Sequence, residues 1–299
     1  MKQSIFLGLL FSISSLMAQE TQPSPYETPN MYTPFLFNEI NKNHEGSFDV
    51  WIAVDKVNMR QSDSETATVV TTLALATPVK VLKQSDKTFQ LNGLTAAWFQ
   101  VQTSDGKEGY VWGGFLTALH VQADYYLENT PPVYFVLSLA RRTKDEQTFA
   151  QIRAVQDGKE IAKKEFKIFV GDNYYATLKN ENLSYSGFGD TQTGIKINSF
   201  YPACGYGAED LLMFWTGTAF YEVISTSSSG EAGSYHTENL IMPGNGGVHG
   251  HIILIEDDVV SSEEDEMRTD HQSYSMTLYG WKNHKIEKIQ SQSKVLVGK

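Results

Sequence analysis

A single cysteine, Cys204, in 299 residues rules out any disulfide within the chain, so the fold must be held by packed apolar surface and hydrogen bonds. Long apolar runs are scarce too. Only Ile5 to Met17 stands out; serines interrupt it, and it falls short of the roughly 20 residues that span a bilayer. Basic residues are few, 24 Lys and Arg against 35 Asp and Glu for a net charge of −11, which argues against nonspecific attraction to nucleic acid or anionic lipid. Neither a Gly-rich phosphate loop nor a Gly-x-Ser-x-Gly elbow occurs, so nucleotide and serine-hydrolase chemistry have no motif here.

Residues 1–18 have the character of a secretory signal: Lys2 is the positive start, Ile5 to Met17 the apolar stretch, and Ala18 the small residue before a cut. The mature chain then begins at Gln19. A lipid anchor needs a cysteine at that cut, and Cys204 lies far downstream, so no membrane anchor is expected. The expected location is outside the cytoplasm, periplasmic or extracellular.

Residues 19–48 carry Pro23, Pro25, Pro29 and Pro34 without strand or helix periodicity and read as a Pro-rich linker. From Asp49 the pattern becomes short β-rich runs, Val50 to Val54, Val69 to Leu75, Pro78 to Leu82, Trp98 to Thr103 and Gly109 to Trp112. Asn92-Gly93 and Asp105-Gly106 between them suit tight hairpins. Five such strands predict a small barrel over residues 49–119. Residues 120–132, ending in Asn-Thr-Pro-Pro, read as a second linker. Residues 133–290 then read as an all-β domain of hairpins, a sandwich or a propeller-like fragment, with 291–299 as a tail. Its predicted strands include Val133 to Ala140, Thr148 to Val155 and Glu160 to Val170, with a long loop over Lys179 to Gly194. Leu211 to Ile224 and Tyr274 to Ile289 share the shape of strand, tight turn and return strand.

Three segments in order, Val57-Asn-Met-Arg60, Thr77-Pro-Val-Lys-Val-Leu82, and Trp98-Phe-Gln-Val101 followed by Asp105-Gly-Lys-Glu-Gly-Tyr-Val-Trp112, resemble the bacterial SH3 domain family. The pattern departs at Gln61-Ser-Asp-Ser and at Ala76, where the family commonly has glycine. The resemblance implies an SH3-like barrel, export, and a binding role toward peptidoglycan or proteins of the cell envelope. The C-terminal half is similar to an uncharacterised all-β region of exported bacterial proteins that carry SH3 domains, through Cys204-Gly-Tyr206, Trp215-Thr-Gly217 and Ser234 to Pro243; no activity comes with that likeness. Trp98, Tyr110, Trp112 and Phe115 are candidates for an aromatic groove that takes an extended peptide or glycan. The same residue types are also the usual core of a small barrel.

Candidate chemistry elsewhere is sparse. Cys204 with His251 or His249 supplies the parts of an NlpC-type cell-wall peptidase, a thiol nucleophile and its base. Ala-Cys-Gly-Tyr replaces that family's Asp-Cys-Ser-Gly, however, and Pro202, Gly205 and Gly207 oppose a helix that would activate the thiol. A packed cysteine is the preferred reading. His249-Gly-His251, with His236 as a distant third, and Glu256 and Asp257 nearby, is a candidate metal set, against which a solvated loop is the preferred reading. The acidic run Glu256 to Glu266 lacks the spacing of a calcium loop and reads as a solvated hairpin loop. Together these readings predict a non-enzymatic exported binding protein with no cofactor and no metal, whose partner is a cell-envelope peptide, glycan or protein.

Overall fold

The computed structural model describes residues 31–32, 48–125, 128–168, 175–181, 183, 186–200, 207–231, 233–261 and 269–297. They form twenty strands and two 3₁₀ turns, with no α-helix among them. The chain is all-β. After a two-residue strand β1 (Met31–Tyr32) come β2 (Phe48–Ile52), β3 (Val57–Arg60), β4 (Val69–Leu73), β5 (Pro78–Leu91), β6 (Leu94–Thr103), β7 (Glu108–Trp112) and β8 (Leu116–Thr117). β2 to β8 close into a seven-stranded curled sheet in the order β4-β3-β7-β6-β5-β2-β8. β5 runs nine residues beyond Leu82 because Asn92 and Gly93, both at positive φ (53° and 76°), make the tight turn that lets it return as β6.

Both faces of β6 are covered, and this positions the candidate groove. Ala97, Phe99 and Val101 fill the barrel interior with Val50, Met59 and Val111. Leu94, Ala96 and Trp98, on the opposite face, enter a different core with Trp112, Phe135 and Ile152. Alternate residues point to opposite faces, so a near-continuous apolar run marks a strand covered twice. The barrel is therefore not a bead on a linker. Residues 120–132, expected as a linker, contain β9 (His120–Gln122), which pairs with β10 (Val133–Arg142), and Leu119 and Ala123 lie in the shared core.

β10 continues through β11 (Thr148–Gln156) and β12 (Lys159–Lys167) in a four-stranded antiparallel sheet. Backbone and side chain fasten it to the barrel. Leu137 N–H donates to Leu119 O at 2.9 Å and Arg142 N–H to Asn92 O at 2.9 Å, while the Thr117 hydroxyl donates to Leu137 O at 2.6 Å. Trp51 also stacks on His120, with centroids 3.9 Å apart.

The third sheet is a nine-stranded antiparallel meander: β13 (Tyr175–Glu181), β14 (Thr193–Phe200), β15 (Ala208–Trp215), β16 (Phe220–Glu231), β17 (Ser234–Ile241), β18 (His251–Ser261), β19 (Thr269–Lys282) and β20 (Lys285–Val297), with β1 beside β13. The run Leu211 to Trp215 is again a doubly covered strand. Met213 and Trp215 face the four-stranded sheet, while Leu212 and Phe214 face a second core with Met242 and Ile252. That second core exists because β16 and β17 pair only over Ser228–Glu231 and Ser234–Thr237. Beyond this point the Glu238 carboxylate takes the Ser227 N–H at 2.6 Å, the strands part, and Trp281 comes over Phe214 at 4.8 Å. The result is layered rather than propeller-like.

Three further expectations change here. The 19–48 segment contributes β1 to the third sheet. Residues 179–181 and 193–194 of the expected loop are strand. β20 extends through 291–297, where a tail was expected, because β19 supplies its ladder as far as His271 opposite Val297.

Candidate functional site

Trp112 ends β7 and is followed by a 3₁₀ turn, Gly113–Phe115. The turn requires glycine: a Cβ on Gly114 would stand 2.2 Å from the Trp112 ring. The indole is buried, and its N–H donates to Phe89 O at 2.9 Å and Ala96 O at 3.1 Å. Phe89 and Phe115 meet this ring edge-on, with centroids at 6.0 Å and 5.0 Å. Phe89 also lies tilted against Trp98 at 6.1 Å. Edge-to-face packing of this kind sets ring orientation as well as adding contact energy.

These four rings form one wall of a cleft of about 390 Å³, and its rim is charged: Asp55, Lys56, Arg60 and Glu65, with Asn58 between them. Arg60 is braced by its Nη1–H bond to Ala67 O at 2.7 Å. The rim loop is tied to the β5 arm by the Lys87–Asp63 ion pair at 2.8 Å. Hydrogen bonds from Lys87 and then Ser85 hold the Asp63 carboxyl below the ordinary carboxylate range. Lys56 and Glu65 are solvent-exposed with opposite charges, so the rim presents both signs to a ligand.

Of the four sequence-picked aromatics, Trp98, Trp112 and Phe115 reach this cleft, though Trp98 and Trp112 are largely buried in the shared core. Tyr110, half-buried on β7 opposite Gln100, stands outside the cleft wall. Sequence reasoning missed Phe89 and the charged rim. Phe89 lies on the strand extension beyond Leu82, where the predicted strand stopped, and rim residues scattered between 55 and 65 converge only when the barrel closes.

The other candidates separate. Cys204 lies outside the described residues. His251 donates from Nδ1 to His249 O at 2.7 Å, and the His249 ring packs against Gly187, where a Cβ would stand 2.3 Å from Cε1. His236 is not a third ligand for them. It pairs in register with Asp258, seven residues along β18 from His251 and so about 23 Å away at ~3.3 Å per residue. Among the described residues no group of three or more His, Cys, Asp or Glu is disposed to hold a metal ion. The acidic run is strand rather than loop through Ser261. Its first carboxylates have partners: Ser275 on Glu256, Tyr235 on Asp257 at 3.2 Å, and His236 Nδ1 on Asp258 at 2.6 Å.

That last contact belongs to a chain unseen in the sequence, since Ser227 Oγ lies 3.4 Å from His236 Nε2. The order is that of a nucleophile–base relay. Yet the Ser227 hydroxyl gives its proton to Glu238 Oε2 at 3.0 Å, which also takes the backbone N–H. Carboxylates crowd the place where a developing oxyanion needs donors. The cluster acts as a polar strut across the parting of β16 and β17.

No curated protein and no solved structure matches the chain. The model of the bacterial SH3 domain family matches residues 55–117, the stretch that runs from the charged rim through the Trp112–Phe115 turn. The barrel that builds this cleft is a bacterial SH3 domain, a binding module often found in cell-wall-associated proteins.

Proposed function

We propose that the chain is an exported, non-enzymatic binding protein whose SH3 domain takes an extended cell-envelope ligand in the cleft beside Trp112. A peptide fits the chemistry better than a neutral glycan. The observation that carries the reading is the pairing of an aromatic wall with a rim of both charge signs, which matches side chains and termini of a mixed-charge peptide. Partner proteins offering such a segment are the second form of the same reading. The signal-like residues 1–18 support export, and the family match supports the binding role.

The test uses the chain from Gln19 incubated with purified peptidoglycan and with peptides released from it, binding being followed by co-sedimentation and calorimetry. Lys56→Glu and Glu65→Lys change the exposed rim without touching either core. Binding that weakens at least tenfold in one of these, with unfolding unchanged, supports the cleft. Equal binding by both variants and the parent chain, or release of fragments from the wall, overturns the proposal.

A further inference from the structure

Edges of β-sheets are templates for further strands unless guarded by charge, bulges, shortness or cover. Among the described residues, the edge strands β8, β9 and β1 have two or three residues and β4 has five. β12 is guarded by Lys159, Lys163, Lys164 and Lys167. β20 is different. Its first half carries Lys285, Glu287 and Lys288, then a bulge at Ile289, which is skipped between the pairs Tyr279↔Lys288 and Leu278↔Gln290. Its second half, Gln290-Ser-Gln-Ser-Lys-Val-Leu-Val297, is regular and carries one charge. Val295 is 56 % exposed and Leu296 48 % exposed. All guarding devices but one thus sit on half of an otherwise open edge.

We propose that residues 290–296 of β20 pair antiparallel with the same segment of a second copy of this chain, joining two nine-stranded sheets across a two-fold axis. In such self-pairing, residues whose backbone groups point outward must face one another, so opposed residues have numbers of the same parity. The register centred on Ser293 satisfies this over seven residues. It sets Ser293 against Ser293, Gln292 against Lys294, Ser291 against Val295 and Gln290 against Leu296. No like charges meet; the register one step onward, centred on Lys294, opposes two ammonium groups and is excluded. The interface is self-complementary, as a two-fold contact requires, and it closes. A highly charged foreign peptide would find only Lys294 to pair with on this stretch.

Sedimentation of the chain from Gln19 over a rising series of concentrations gives a dimer at the upper end. Ser293→Glu opposes two carboxylates at the axis, and the side chain is exposed, so the fold survives and the dimer dissociates to monomer. In a Cys204→Ser background, Ser293→Cys cross-links through a disulfide, since directly opposed Cβ atoms lie about 4.5–5.5 Å apart. Lys285→Cys does not. A monomer throughout, a dimer indifferent to Ser293→Glu, equal cross-linking at both positions, or an open polymer would each overturn the proposal.

Discussion

Replacing Trp112 by alanine tests the claim that the barrel and the sheet after it share one core. The indole is 3 % exposed, and truncating a buried tryptophan costs about 3–5 kcal/mol through lost contact and the cavity left behind. Two carbonyls, of Phe89 and Ala96, also lose the N–H they share. Phe89 lines the cleft, where water can replace the lost donor, so this adds only the low end of the usual penalty, about 1 kcal/mol. The total, about 4–6 kcal/mol, is a large part of the roughly 5–15 kcal/mol that holds a domain. Trp112 belongs to the core that contains Phe135 and Ile152, so the loss is felt on both sides of the boundary. Urea unfolding followed by far-ultraviolet circular dichroism is the assay, since it does not rely on the deleted fluorophore. The parent unfolds in one transition and Trp112→Ala in one transition at much lower urea; Trp112→Phe, which keeps a ring but no donor, falls between. Two separated transitions of which only one moves, or a shift below about 1 kcal/mol, would refute the shared core. The same arithmetic makes Trp112→Ala a poor probe of ligand binding and favours the exposed rim residues.

Two further outcomes follow from the same junction. Gly93 has φ +76°, and a Cβ there would stand 2.1 Å from the Arg142 carbonyl oxygen. Gly93→Ala is expected to cost about 2–4 kcal/mol from strain plus overpacking, whereas Gly106→Ala, at φ +82° in open space, costs about 1 kcal/mol; equal urea midpoints for the two would remove the clash from the account. His120, stacked on Trp51 and paired through β9, has its pKa lowered from 6.5 by burial. A base depressed in the folded state binds fewer protons there than when unfolded, so stability is full above pH 6.5, falls as pH drops below it, and levels off below the folded pKa. His120→Phe keeps the stack and flattens that slope below about pH 6.5; an unchanged slope would show that other groups set the acid limit.

The sequence carried the local grammar of this protein. Periodicity of two, Asn92-Gly93 and the other turn dipeptides specify strands and hairpins, because turn angles and alternation are properties of neighbouring residues; the SH3-like character of the barrel was legible through the resemblance of the ordered segments from Val57 to Trp112 to that family. That Leu94 to Phe99 and Leu211 to Trp215 are strands covered on both faces was not read from the sequence, where the first of these strands was expected to begin only at Trp98. Only the tertiary structure decided that Phe99 points into the barrel while Trp98 points out of it into a core built with β10 and β11. That choice turned an expected linker at 120–132 into part of a shared core. It likewise brought Phe89, 23 residues from Trp112 in the chain, to the cleft wall beside Lys56 and Glu65, and it set His236 apart from His249 and His251. Which side of a strand is covered, and by which distant strand, depends on how sheets stack, and the free energy of that stacking is shared among residues too far apart in the chain for any local pattern to record it.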